Sequence, residues 1–308
     1  MDIFKLITDI EKVDPEIYDR LDSRRKVFKH LTGVGTKVAA AAVPAFFASV
    51  FTKAYGQSGA LPADIANILN FALKLEYLEA LFYTKGVSTS GLIPAGPGLT
   101  ALTVIRDDEN KHVAALRGLL GSQAIAPLTD ANFDFTGAKG GTRAPLFGDV
   151  FSNYQTFLAV AQSLEDTGVR AYKGGAAGLK ANKDILTAAL NIHSVEARHA
   201  SHLRTMRRGG PGMAGDGTGA KPKSWVTGTE GGGAGGAITA PIYGAGTPAA
   251  NFPAEDNVTH GPAPGVNIQT ALASLNFPAA AFTEAFDEPL DSATVINIAL
   301  NFVVGNTF

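Results

Sequence analysis

Two short stretches of the chain carry the same pair of residue types that bind metals. Each reads Glu-x-x-His, the first at Glu109–His112 and the second at Glu196–His199. A single glutamate precedes each pair: Glu76 lies 33 residues before the first, and Glu165 lies 31 residues before the second. This near-repeat indicates a helix pair that is used twice, and its residue types indicate metal binding.

The spacing within each pair explains why the residues can act together. Two residues three positions apart lie on the same face of a helix, so each pair points a carboxylate and an imidazole in one direction. Four packed helices would then bring four carboxylates and two imidazoles to the bundle axis. Unpaired buried carboxylates cost more free energy than such a domain can offset, and two divalent ions would supply the compensating charge. The predicted ligands are Glu76, Glu109, His112, Glu165, Glu196 and His199.

The composition narrows the kind of metal and the kind of partner. The 308 residues include no cysteine, which excludes disulfides, thiolate catalysis and Cys-ligated zinc or iron–sulfur sites. The net charge is -2, whereas a nucleic-acid partner requires a basic surface. We expect two iron or two manganese ions per chain, because carboxylate and imidazole accept both.

The alternative to a metal site is a bundle whose buried carboxylates pair with arginines. Arg106, Arg170 and Arg198 lie in the same predicted helices and are the candidates for such ion pairs. In that case the domain would be a scaffold without metal chemistry.

Three further polar residues lie on the same helix faces as the predicted ligands. Glu79 lies one turn after Glu76, and either replaces it as the ligand or hydrogen-bonds to a ligand; the third helix has Gly168 at the equivalent position. Tyr83 and Tyr172 each follow a single glutamate by seven residues, which returns to the same face. Each tyrosine either packs in the core or hydrogen-bonds to a liganding carboxylate.

Four other polar residues are expected to lie away from the metals. Asp108 and Asp166 adjoin predicted ligands and are expected to face outward or to cap neighbouring groups. His193 and His202 are expected about 90° from the centre of the Glu196–His199 face, which places them off the bundle axis.

Apolar periodicity predicts the four helices that would hold these residues. Their expected ranges are about 62–85, 102–120, 150–172 and 183–207. Asn182 is the predicted N-cap of the fourth helix, and glycines follow each predicted end, at Gly86, Gly121 and Gly174 among others. The predicted fold class is all-α.

The arrangement of one glutamate from each of two helices and Glu-x-x-His from each of the other two resembles the ferritin-like di-iron and di-manganese proteins. The resemblance covers Pro62 to Arg208. Two later phrases, Glu255-Asp256-Asn257 and Phe286–Leu290, are similar to a narrower family of bacterial ferritin-like-domain proteins often labelled desiccation-associated. The resemblance implies an antiparallel four-helix bundle that oxidises Fe(II) or consumes peroxide.

Residues 1–60 resemble an export signal. Arg24-Arg25 is followed by Phe28 and Lys29, then by an apolar stretch from Val38 to Phe51 that is too short to span a membrane. This layout is typical of twin-arginine signals and predicts a periplasmic or envelope location. The alternative is an ordinary amphipathic helix on a cytoplasmic protein, with residues 1–22 in a separate docking role.

Residues 209–308 are predicted to form a long, mostly irregular arm. A Gly-rich linker that contains Trp225 is followed by apolar residues such as Phe277, Phe282, Phe286 and Ile298. We expect the arm to pack on the bundle (61–208) or on a partner, either a second subunit or an envelope protein. The arm also argues against a closed iron-storage shell.

Two functions remain open from the sequence. The first is an exported di-metal oxidoreductase that acts on Fe(II), dioxygen or peroxide in protection against oxidative stress. The second is a non-catalytic structural or interaction protein of the cell envelope. Metal content and redox turnover distinguish the two.

Overall fold

The computed structural model describes residues 60–305, except 211, 219–220, 229–233, 235–238 and 262–263. The predicted export signal and docking segment (1–59) lie outside this range. Within it, no helix is both long enough and apolar enough to cross a membrane.

Four long helices form an antiparallel bundle, as the all-α prediction required. They are α1 (Ala63–Ser88), α2 (Pro97–Leu120), α3 (Tyr154–Ala176) and α4 (Lys183–Arg207). The helices pack most extensively as two pairs, α1 with α2 and α3 with α4, and α1 also packs against α3. Between α1 and α3 the rings of Phe82 and Phe157 stack with their centroids 4.8 Å apart.

The helix ends follow local capping chemistry. Asn153 begins α3, because its side chain accepts hydrogen bonds from the backbone N–H groups of Gln155 and Thr156. Asn182 caps α4 as predicted, accepting from the N–H of Ile185 at 3.1 Å. Helix α2 starts at Pro97, five residues before its predicted start, and proline suits a first turn whose N–H groups have no partner within the helix.

Two glycines that were predicted to end helices lie inside them instead. Helix α1 continues through Gly86 to Ser88, and a Cβ at Gly86 would lie 2.2 Å from the Phe157 ring. A Cβ at Gly174 in α3 would lie 2.0 Å from the carbonyl oxygen of Leu290 in the arm. Both glycines therefore permit close packing of neighbours, a role that local sequence does not distinguish from helix termination.

The arm consists of short elements joined by loops. Its helices are α5 (Ala240–Tyr243), α6 (Ile268–Ala271), α7 (Ala280–Thr283) and α8 (Ser292–Ala299). Two short strands, β1 (Thr259–His260) and β2 (Val266–Asn267), pair antiparallel with Thr259 opposite Asn267.

The arm packs on the bundle through both side chains and backbone. Helix α8 lies against α3 and buries Val295, Ile298 and Ala299. In the loop between α2 and α3, the N–H of Asp134 donates at 2.7 Å to the carbonyl of Phe302, which follows α8 in the arm. The arm therefore covers one side of the bundle.

Not every large apolar residue of the arm is buried. Phe282 is buried, but Phe277 and Phe286 keep 47% and 53% of their surface exposed. Trp225 is 52% exposed, and its Nε1 donates to Glu284 Oε2 at 2.7 Å. Of the apolar residues named for the arm, Phe282 and Ile298 are thus buried, whereas Phe277 and Phe286 lie on the surface.

Candidate metal centre

Seven acidic and imidazole side chains from the four helices meet inside the bundle. None of them exposes more than 6% of its surface. They comprise the six predicted ligands together with Glu79: Glu76, Glu79, Glu109, His112, Glu165, Glu196 and His199.

The first cluster surrounds Nδ1 of His112. This nitrogen lies 3.0 Å from Glu109 Oε2, 3.1 Å from Glu76 Oε2 and 3.3 Å from Glu196 Oε1. One ring nitrogen can donate a single hydrogen bond, so it cannot satisfy three carboxylates that come from three helices. Ligand atoms of all four residues lie within 4.8 Å of one another, which is compatible with one metal ion.

The second cluster surrounds Nδ1 of His199. This nitrogen lies 2.8 Å from Glu109 Oε1 and 3.3 Å from Glu165 Oε2. The two oxygens of Glu109 therefore face different histidines, and the His112 and His199 rings are 6.4 Å apart between centroids. A carboxylate in this position can bridge two metal ions.

Several atoms of the cluster are buried without a hydrogen-bond partner. They are His199 Nδ1, Glu109 Oε1, Glu165 Oε2 and both carboxylate oxygens of Glu196. His199 Nδ1 and Glu109 Oε1 are 2.8 Å apart, but no hydrogen bond of acceptable geometry joins them. Ligands around a common ion bring nitrogen and oxygen atoms close together without hydrogen bonds between them. The residues of the cluster show this arrangement, so they fit a metal centre.

Two buried tyrosines hold two of the carboxylates. Tyr83 on α1 donates to Glu165 Oε1 on α3 at 2.5 Å, and Tyr172 on α3 donates to Glu76 Oε1 on α1. Burial, followed by the neighbouring glutamates, raises the pKa of both phenols well above the ordinary value, which keeps them protonated as donors. Of the two alternatives for these tyrosines, the structure thus favours a hydrogen bond to a candidate ligand.

Glu79 and Glu76 both reach the cluster, so neither replaces the other. Glu76 lies with His112, whereas Glu79 groups with Glu165 and Glu196. A Cβ at Gly168 would lie 2.6 Å from Glu196 Oε2 and 3.5 Å from Glu79 Oε1. Glycine at position 168 therefore provides the space that the Glu196 carboxylate occupies, with Glu79 at van der Waals distance.

Burial disfavours ionisation of four of the five glutamates, and it raises the pKa of Glu165 above its ordinary value. It raises the pKa of Glu76 to about 7, against the partial compensation that His112 provides. It also raises the pKa of Glu79 and Glu196 well above the ordinary value, and the surrounding carboxylates add to the effect. Without metal, these groups retain protons that a cation would displace.

Glu109 and the two histidines shift in the directions expected of ion pairs. Burial opposes ionisation of Glu109, but His112 and then His199 outweigh it and lower the pKa of that carboxyl. Burial likewise opposes the charge on His112 and His199, but Glu109, Glu76 and Glu165 outweigh it and raise the pKa of both rings.

The arginines considered as an alternative source of charge do not reach the cluster. Arg106 pairs with Asp107 at the surface at 2.6 Å, and Arg198 contacts Ser194 Oγ at 3.4 Å. Arg170 turns towards the arm and pairs with Glu255 at 2.8 Å. Among the described residues, the two histidines are thus the only cationic side chains paired with the glutamates of the cluster.

None of the four residues expected to lie away from the metals belongs to a group of possible ligands. His202 is exposed and His193 is half-buried, and neither belongs to a group of possible ligands. Asp108 is partly exposed, binds Lys111 at 2.7 Å and lies 3.6 Å from His199 Nε2. Asp166 was expected to face outward or to cap neighbouring groups; it does not face outward, because it is buried and accepts hydrogen bonds from Arg204 and Tyr243.

Asp166 belongs to a buried polar network that the sequence analysis missed. Its Oδ2 accepts from Arg204 at 2.5 Å and from the Tyr243 hydroxyl at 2.7 Å. Arg170 lies beside this network and binds the arm. The sequence contains one sign of this network: Asp166 is a charged residue at a helical position that faces neither solvent nor the predicted metals.

Comparison with known proteins agrees with this geometry. Residues 64–208 match the model of the ferritin-like domain family. No curated protein and no solved structure gave a significant match. The matched range contains all seven residues of the cluster and, apart from Ala63, the four long helices. Through residues 64–208, the chain therefore carries a ferritin-like domain of the ferritin-like superfamily.

Proposed function

We propose that the protein is an oxidoreductase of stress protection that binds two iron or manganese ions and acts on Fe(II), dioxygen or peroxide. The observation that carries the proposal is the buried cluster of five carboxylates and two imidazoles, several of whose atoms have no hydrogen-bond partner. Such a cluster is costly in a protein without cations. The narrower kinship with the desiccation-associated proteins is part of the same proposal.

The chain's own residues would prepare the site for this chemistry. When bound, two such ions supply one-electron changes between the +2 and +3 states and a place for a small oxidant. Tyr83 and Tyr172 orient Glu165 and Glu76 from the opposite helix. The packed bundle limits access of water to the cluster, which favours small, uncharged oxidants over large substrates.

Redox turnover tests the proposal directly. Metal-loaded protein should oxidise Fe(II) or consume hydrogen peroxide over many turnovers, and Glu109→Ala should reduce the rate by about a hundredfold or more because one carboxylate serves both histidines. Asp107→Ala, an exposed acid on the same helix, is the matched control. Metal-loaded protein with no turnover would favour the structural role, in which the exposed Phe277 and Phe286 of the arm contact an envelope partner or a second copy.

We also propose that the protein is exported in the folded state. The support is Arg24-Arg25, Phe28, Lys29 and the apolar stretch that follows, because twin-arginine export carries proteins that have already folded around their metals. Changing both arginines to lysine is expected to retain the protein in the cytoplasm. Cell fractionation measures this, and normal export of the Lys-Lys variant would exclude the twin-arginine route.

A further inference from the structure

Glu79 breaks the internal repeat of the candidate metal centre. Glu76 and Glu165 are equivalent in the two helix pairs, but the residue three positions later is Glu79 in α1 and Gly168 in α3. Glu79 is 3% exposed, and its carboxylate lies with the carboxylates of Glu165 and Glu196. A buried carboxylate among other carboxylates needs a cation or a proton.

Glu79 lies close to two other glutamates of the cluster, Glu165 and Glu196. Oxygens of Glu79, Glu165 and Glu196 lie within 4.8 Å of one another, and Glu165 also groups with Glu109 and His199. Glu76 instead groups with His112. Three carboxylates (Glu76, Glu109 and Glu196) thus surround His112, whereas the His199 group has two, and Glu79 adds a third carboxylate beside Glu165 of that group.

Gly168 provides the room for this arrangement. A side chain there would start 2.6 Å from Glu196 Oε2 and 3.5 Å from Glu79 Oε1. The second helix pair thus has no acid at the equivalent position. Glycine there leaves the space that the Glu196 carboxylate occupies, and Glu79 approaches the same position at van der Waals distance.

We propose that Glu79 is a ligand of the metal ion held by His199 and Glu165, where it supplies a third carboxylate that this position otherwise lacks. This inference rests on the proposed di-metal function. With Glu79, each of the two positions has one imidazole and three carboxylates, with Glu109 shared between them, so both positions offer a ligand set that suits iron or manganese.

The test is a pair of isosteric variants of the full chain, titrated in the metal-free form with Mn(II). Glu79→Gln should weaken binding at the His199 position by about tenfold or more and leave the His112 position close to wild type. Glu76→Gln is the matched control and should show the reverse. Calorimetry measures the two affinities, and anomalous scattering at the manganese edge assigns them to positions.

The outcomes separate this inference from the function on which it rests. If the wild type binds two ions but Glu79→Gln fills both positions with wild-type affinity, Glu79 is not a ligand. A third ion at Glu79, or equal weakening of both positions, would also overturn the inference. A wild type that binds no metal would refute the di-metal function itself. Glu79→Ala gives a second readout if the glutamine variant does not fold.

Discussion

Removing the metal ions is expected to lower the melting temperature of the protein, and to lower it more at pH 8 than at pH 5. In the metal-free protein, burial raises the pKa of Glu76 from 4.5 to about 7. The native state then binds more protons than the unfolded state between these values, so stability falls as the pH rises through that window. For Glu76 alone the loss amounts to roughly 3 kcal/mol.

The other groups of the cluster mostly change stability in the same direction. The pKa values of Glu79 and Glu196 are also raised by burial, so their contribution continues to be lost at higher pH. The histidines, whose pKa values are raised by the glutamates, stabilise the fold at low pH and lose that effect as they deprotonate. Glu109, whose pKa is lowered, acts in the opposite sense and offsets part of the loss.

Calorimetry of metal-loaded and metal-free protein from pH 5 to pH 8 measures the effect. Metal replaces the protons, so the loaded protein should show little of this pH dependence, and the two melting temperatures should differ by about 10 °C or more at pH 8. The difference should shrink towards pH 5. Equal melting temperatures at pH 8 would mean that metal does not neutralise the buried carboxylates.

Replacing Arg170 by methionine is expected to detach the arm from the bundle. The guanidinium of Arg170 donates to five backbone carbonyls at 2.5 to 3.1 Å and pairs with Glu255 at 2.8 Å. The carbonyls belong to three separate parts of the arm: Ile242, Gly244, Pro253, Glu288 and Pro289. Methionine retains much of the length but donates no hydrogen bond.

The variant should lose about 3–5 kcal/mol, because it leaves the buried Glu255 carboxylate without its cationic partner and several carbonyls without the Arg170 donor. It should also become sensitive to proteolysis between residues 240 and 290, with the bundle resistant. Arg198→Met is the matched control, because Arg198 lies on the surface of α4 and contacts only Ser194. A melting temperature of Arg170→Met within 1–2 °C of this control would show that the arm is held by its apolar contacts alone.

The bundle could be predicted because its signals are local and repeated. Helical periodicity sets the four helices, and Asn182 is a recognisable N-cap. Glu-x-x-His places its two side chains on one face at any point of a helix, so the convergence of Glu109, His112, Glu196 and His199 follows from spacing once four helices are assumed.

The arm and its attachment could not be predicted in the same way, because they depend on contacts between distant residues. Nothing in the neighbourhood of Arg170 shows that it binds carbonyls more than seventy residues away. From local sequence Gly174 looks like the end of a helix. Its actual role is to make room for the carbonyl of Leu290, which only the tertiary structure brings close. The exposure of Phe277 and Phe286 was missed for the same reason.

The arrangement of Glu79 and Gly168 could be predicted in part: less well than the bundle, and better than the arm. The near-repeat identifies both positions as equivalent, but only the structure shows that the carboxylate of Glu79 approaches the space left by Gly168. Sequence alone therefore left open whether Glu76 or Glu79 acts in α1. The fold brings both into the cluster, on different sides.

Metal content tests the central claim most directly. Elemental analysis of the protein purified from its own host, together with anomalous scattering at the iron and manganese edges, measures both number and position. We predict about two transition-metal ions per chain, separated by about 3.5–4 Å and bound between His112 and His199. Two results together would contradict the account. The wild type would bind less than half an equivalent of any transition metal, and Glu109→Ala would melt at the same temperature as the wild type.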